Sequence, residues 1–253
     1  MSEWIDVSFE AEGVRLYAVE AGRGAPVILL HGGLANHLAC RAHAAPLVGS
    51  HRVITPDLRG SGRSHYAGEL GWDQLADDIA AIVRQLGASR VAIGGVSFGS
   101  GVATAFALRH PSMVDRLMLV WPVYAGSDVG LMPAQREALE AMYALGRRAP
   151  AEGIEVILPL FDRLPPEIRQ HMYKIASGYD PASVATSTKF MASGIQPIAS
   201  ASDLAAISAP TLVVTGVDAF HPASVAQLYA DAIPAATLVE GDPAKAISAF
   251  LAE

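Results

Sequence analysis

Cysteine is nearly absent from the 253 residues: Cys40 stands alone, so no intrachain disulfide can form, and a reducing, cytoplasmic setting is expected. Charged residues are sparse at 17%, and the formal net charge is −7 at pH 7. No basic run or stripe offsets that balance, which argues against nucleic acid as a partner. Apolar runs are short: Leu117 to Tyr124, among the longest, holds Pro122 and cannot cross a bilayer, so no membrane partner is expected. The opening MSEWIDVSFE has neither the basic start nor the apolar stretch of a secretory leader. The histidines show no HxxxH-type spacing and have no cysteine partners, so no metal site is expected. No cofactor motif is present either; Gly99-Ser100-Gly101 lacks the third glycine of a dinucleotide fingerprint, and no P-loop lysine follows it. Nothing in the composition fixes an oligomeric state.

What the chain has in quantity is apolar side chains, 51% of the total, enough for a sizeable core. They fall in short runs that alternate with helical periods. Pro26 to Leu30, Arg52 to Thr55, Val91 to Ile93, Leu117 to Val120, Leu212 to Val214 and Thr237 to Val239 read as strands. Leu75, Ile79, Ile82, Val83 and Leu86 share one helical face, with Asp77, Asp78 and Arg84 off it. Val102 to Leu108 is apolar almost all round and stops near His110-Pro111, as a buried helix would. Ile5 to Glu10 and Arg15 to Val19 read as an antiparallel hairpin turning at Glu12-Gly13. The whole predicts an α/β fold with a mainly parallel sheet flanked by helices. From about Ser127 to Ser202 the strand rhythm stops. Leu139, Met142 and Tyr143 suggest one helix and Ile168, Met172 and Ile175 another, with Pro159, Pro165, Pro166 and Pro181 separating such pieces. The expected organisation is a core of residues 1–126 and 203–253 with a helical cap over 127–202.

The stretch GGVSFGSG, Gly94 to Gly101, places Ser97 in a G-x-S-x-G frame between a buried strand and a helix. That is the setting of a nucleophile elbow, where a strained turn projects the hydroxyl outward and the next amide, that of Phe98, faces a developing oxyanion. A second donor is expected from His31-Gly32-Gly33-Leu34, at the N–H of Gly33 or Leu34. With LLHGG, PDLRGSGRS, RHPSMVDRLMLV and APTLVVTGVD in order around it, the chain resembles the α/β-hydrolase superfamily, and within it the capped small-molecule hydrolases that include 3-oxoadipate enol-lactonase. The resemblance implies an α/β-hydrolase fold and a site for a small ester, lactone, thioester or related carbonyl compound. It makes Asp57, Arg59 and Ser64 braces for the loops. His43, His51 and His65 read as loop or surface residues.

The resemblance also implies an acid after the strand ending at Val214. Asp218 is the candidate, with Pro222 four residues on; Asp128 is the fallback. It does not supply the base. Relatives carry a histidine after the last strand, whereas here TLVEGDPAKAISAFLAE holds none, and His221 is the last histidine of the chain. Four answers stay open. Another histidine reaches Ser97, with His221 and His37 as tentative bases and His171 as a remote one. Asp242 takes the histidine's place, or merely caps the helix it precedes. Ser97 and the oxyanion hole work without a base, as in a lyase, cyclase or isomerase. Or the pocket only binds. Phe161, Met172, Tyr173, Phe190 and Met191 are the cap side chains available to line a pocket.

Overall fold

A computed structural model describes residues 3–162 and 164–253, apart from the side chain of His171. The chain begins with the hairpin β1 (Ile5–Ala11) and β2 (Val14–Ala21), paired antiparallel. Its turn has Glu12 at φ 44° and Gly13 at φ 77°, both left-handed, which matches the twist of paired strands. Next come β3 (Pro26–Leu30), the short helix α1 (Arg41–Ala44), β4 (Arg52–Pro56), α2 (Trp72–Gln85), β5 (Val91–Val96), α3 (Phe98–Arg109) and β6 (Val114–Val120). The helices α4 (Pro133–Gly146), α5 (Ala149–Glu152), α6 (Pro166–Ala176) and α7 (Pro181–Ala192) follow, and then β7 (Thr211–Val214), α8 (Ala223–Ala232), β8 (Ala236–Val239) and α9 (Pro243–Ala252).

Among the described residues eight strands form one sheet, in the order β1-β2-β4-β3-β5-β6-β7-β8. From β4 to β8 neighbouring strands run parallel, and the first hairpin adds an antiparallel edge. The strands β3, β5, β6 and β7 are buried on both faces, which is why they read as unbroken apolar runs. One face packs on α2, α3 and the helices α4 to α7; Cys40, Ala44, Leu47 and Ile247 cover the other. The parallel arrangement brings the carboxyl ends of β3, β5, β6 and β7 to one edge, and the loops leaving them meet there.

Leu75, Ile79, Ile82 and Val83 of α2 are buried as the periodicity predicts. Asp78 departs from it. Expected off the apolar face, it is 3% exposed, because Arg59 reaches in to pair with it at 2.5 Å and donates a further bond to the Ala11 carbonyl. Asp57 is likewise enclosed and accepts from the N–H groups of His37 and Arg63, while Ser64 Oγ donates to the Asp57 carbonyl and accepts from Tyr17 N–H. These contacts tie β2 to the loop after β4.

Between β6 and β7 no strand occurs among the described residues. The helix α7 goes beyond the sequence reading, since its serines and threonines are weak helix formers. Asp180 caps it by accepting from Ser183 N–H, Pro181 occupies its first turn, and the Thr188 hydroxyl turns back onto the Val184 carbonyl. Pro159 sits inside a 3₁₀ segment, Ile154–Phe161, rather than between two pieces. His43, expected in a loop or at the surface, lies on α1 and is half-buried, and burial pushes its imidazole below the usual histidine range.

Candidate active site

Ser97 ends β5 and begins α3 with φ 54° and ψ −115°. A non-glycine residue held there stores about 1–3 kcal/mol of strain and persists only where its surroundings dictate the geometry. They do. Any side chain at Gly95 would collide with the Gly99 backbone, and one at Gly99 would meet the Leu30 and His31 carbonyls. Ser97 N–H donates to the Val120 carbonyl at 2.9 Å, which extends the β5–β6 ladder to the corner itself. The hydroxyl thus stands over the N-terminus of α3, where the first N–H groups are free of helical partners. Among the described residues neither Phe98 N–H nor Gly33 N–H has a hydrogen-bond acceptor.

The Gly32-Gly33 loop is pinned from beneath. His31 is 1% exposed, and its Nε2 accepts from Leu58 N–H at 3.0 Å. That bond leaves the proton on Nδ1, which donates to the Gly32 carbonyl at 2.7 Å. Burial holds His31 below the ordinary histidine pKa, consistent with this neutral tautomer.

The loop after β7 completes the constellation. His221 Nε2 lies 2.9 Å from Ser97 Oγ, and His221 Nδ1 lies 3.0 Å from Asp218 Oδ2. Asp218 Oδ1 also accepts from the N–H groups of Phe220 and His221, 2.8 Å each, and so folds the loop on itself. Burial alone would raise the Asp218 carboxyl. The bonds from the His221 ring and from these two amides outweigh it and hold the group below the usual carboxylate range. The fold is tight enough that a side chain at Gly216 would strike the His221 backbone and Cβ.

The other candidates lie elsewhere. His37 is not brought to Ser97: its Nδ1 sits 2.8 Å from Asp57 Oδ1, and its ring stacks edge-on to Tyr17. Asp242 caps α9, accepting from Ala244 N–H at 2.9 Å. Asp128 lies in the turn after β6, with its N–H on the Ala199 carbonyl. His171 falls on α6, its side chain outside the described residues.

The hydroxyl opens into a cavity of about 240 Å³, bounded by Phe98, Trp121, Tyr124, Leu139, Met142 and Met191 among others. Among the described residues its lining carries no acidic, lysine or arginine side chain, and His221 is its titratable imidazole. Of the expected cap side chains Met191 alone lines it; Phe161 and Phe190 are core residues, and Met172 and Tyr173 pack against that core. Trp121 (φ 53°), Tyr124 and Phe220 escaped the sequence reading. The signal that could have found them is position: Trp121 and Tyr124 follow directly on β6, at the edge where such sheets bind ligands. Surface depressions of about 470 and 600 Å³ occur elsewhere, and among the described residues neither is lined by a histidine or lysine.

A parallel sheet, a strained serine after β5 and a histidine–carboxylate pair after β7 define a hydrolase-type scaffold. Residues 25–155, more than half of the chain, match the alpha/beta hydrolase fold family, and the protein belongs to it. The chain is similar to 2-hydroxymuconate semialdehyde hydrolase of Pseudomonas sp. (strain CF600), 32% identical over 129 residues, 47% of this chain and 46% of that protein. It thus spans less than half the length of that relative. In three dimensions it resembles a thermophilic esterase from Thermogutta terrifontis, with TM-score 0.76 and 27% identity over 99% of this chain and 96% of that one. The enol-lactonase of Burkholderia xenovorans LB400 shares the fold, with TM-score 0.79 and 21% identity over 98% of this chain and 100% of that one. No helix among the described residues is long and apolar enough to cross a membrane.

Proposed function

We propose that the chain hydrolyses small, neutral esters or lactones through an acyl-enzyme on Ser97. The observation that carries this reading is the 2.9 Å contact between His221 Nε2 and Ser97 Oγ, with Asp218 behind the ring at 3.0 Å. The Asp218 carboxylate holds the proton on Nδ1 and leaves the Nε2 lone pair facing the hydroxyl. As Oγ attacks the carbonyl carbon, its proton passes to Nε2, and the oxyanion settles against Phe98 N–H and Gly33 N–H. The C–O bond to the alcohol breaks as Nε2 returns the proton to the leaving oxygen. A water molecule, deprotonated by Nε2, then attacks the acyl carbon; Ser97 regains its proton and the carboxylic acid departs. The largely apolar lining supports a neutral acyl group over a carboxylate-bearing one, since a buried anion would find no lysine or arginine among the described lining residues. Residues 127–202 serve as the cap over this pocket, on a core of 1–126 and 203–253. The likeness over nearly the full length to an esterase supports ester chemistry.

The test combines turnover of short p-nitrophenyl esters with fluorophosphonate labelling. Ser97→Ala abolishes labelling. His221→Ala lowers kcat by on the order of 10⁴-fold. Asp218→Asn costs about 10²-fold, less than for a buried triad acid because its side chain is 59% exposed. Labelling at parental rate in His221→Ala overturns the role given to that histidine. Tight ligand binding without labelling or turnover favours a pocket that binds without acylation.

A further inference from the structure

The histidine loop is gripped from outside by a residue of the helical insertion. Gln135 lies in the first turn of α4, is fully buried at 0% exposure and uses every part of its amide. Its Oε1 accepts from Met132 N–H at 2.9 Å, and its Nε2 donates to the carbonyls of Val123 and Phe220, 3.0 Å each. Burial requires that the amide find partners. It does not require that both donors leave the helix and land on two separate walls of one cavity. The Val123 carbonyl belongs to the segment that carries Trp121 and Tyr124 into the pocket. The Phe220 carbonyl belongs to the peptide that leads into His221. On the opposite side of that peptide its N–H donates to Asp218, itself more than half exposed, so the loop's own bonds lie in contact with water.

We infer that Gln135 is a positioning residue: it clamps the Phe220–His221 peptide so that Nε2 stays within reach of Ser97 Oγ, and it makes the insertion part of the proton-transfer apparatus. This rests on the reading of His221 as the base. A lift of α4 would then draw the base and the Trp121–Tyr124 wall away together, so that closure over substrate and assembly of the site are one event.

Gln135→Met keeps the length of the side chain and removes both donors. Gln135→Glu keeps the acceptor for Met132 and removes the same donors. Thr188→Val is the control, since among the described residues the Thr188 hydroxyl bonds to the Val184 and Ala185 carbonyls within α7. For each, thermal unfolding, kcat, KM, the pH profile of kcat/KM and the rate of fluorophosphonate labelling are measured. The Gln135 variants are expected to lose kcat by about 10–100-fold, the scale set by small misplacements of a catalytic group, with KM changed less than about threefold. Labelling slows in parallel and the acidic limb of the profile shifts. Thr188→Val loses stability and keeps kcat and the acidic limb. Parental kcat, labelling and acidic limb in folded Gln135→Met overturn the proposal; if that variant does not fold, Gln135→Glu is read by the same criteria. Parental turnover in His221→Ala brings down the underlying reading, whereas loss there with parental behaviour in Gln135→Met brings down the positioning role alone.

Discussion

The two halves of the candidate site are built by opposite means. Ser97 is held by the interior: strands buried on both faces, a helix beginning at the next residue, and glycines whose neighbours are backbone atoms. His221 is held by hydrogen bonds at the rim, in a loop where Val217 is 97% exposed. The geometry at Ser97 is therefore a property of the fold, and that at His221 is a property of a few local contacts. Substitutions on the two sides should separate stability from activity.

The largest effect is expected at Gly99. Gly99→Val drives a side chain into the Leu30 and His31 carbonyls, which cannot give way, and should cost about 4 kcal/mol or more, or leave no folded protein. Thermal unfolding followed by circular dichroism checks it; a stable, active variant would erase the contrast. The loop answers differently. Gly216→Val first meets the His221 backbone and Cβ and should cost about 1 kcal/mol of stability while kcat/KM falls on the order of 10²-fold. Unfolding as severe as at Gly99 would show that the rim is as integral as the core.

The smallest effect is expected from acid, and it arises at the buried histidines rather than in the Asp218–His221 loop. His31 and His43 are held below 6.5 in the folded chain, chiefly by burial. Unfolded, they take up protons near pH 6.5, so the unfolded state binds more protons below that point and stability falls with pH. For enclosed His31 the slope is at most about 1.4 kcal/mol per pH unit until its folded pKa is reached, and half-buried His43 adds less. Asp218, held below 3.8, keeps its charge throughout this window. Urea midpoints at pH 7 and 5.5 should therefore drop in the parent, and less in His43→Gln, while the acid–base loop keeps its carboxylate.

Much of this was legible in the residues. Short apolar runs, helical periods and the G-x-S-x-G corner carry the fold, because each is a local pattern with a local physical cause. The frame lost its force in three places. Asp78 looked like a solvent residue because the cation that neutralises it, Arg59, is remote in sequence. The helix α7 has poor intrinsic propensity and is held by its cap and by packing. And the partner of Ser97 could be narrowed only to alternatives, since the distance between two loops depends on the sheet order, which leaves one strand, β6, between β5 and β7. Gly216 stands two residues before Asp218, and the collision that keeps it a glycine exists only once the loop has folded.

Asp218 and His221 lie three positions apart on a single span joining β7 to α8, with nothing contributed by the stretch beyond β8. The pair is consequently a cassette. One short segmental exchange would carry both members into another scaffold of this architecture, or delete both at a stroke, while the C-terminal helix stays committed to the sheet face that Ile247 covers.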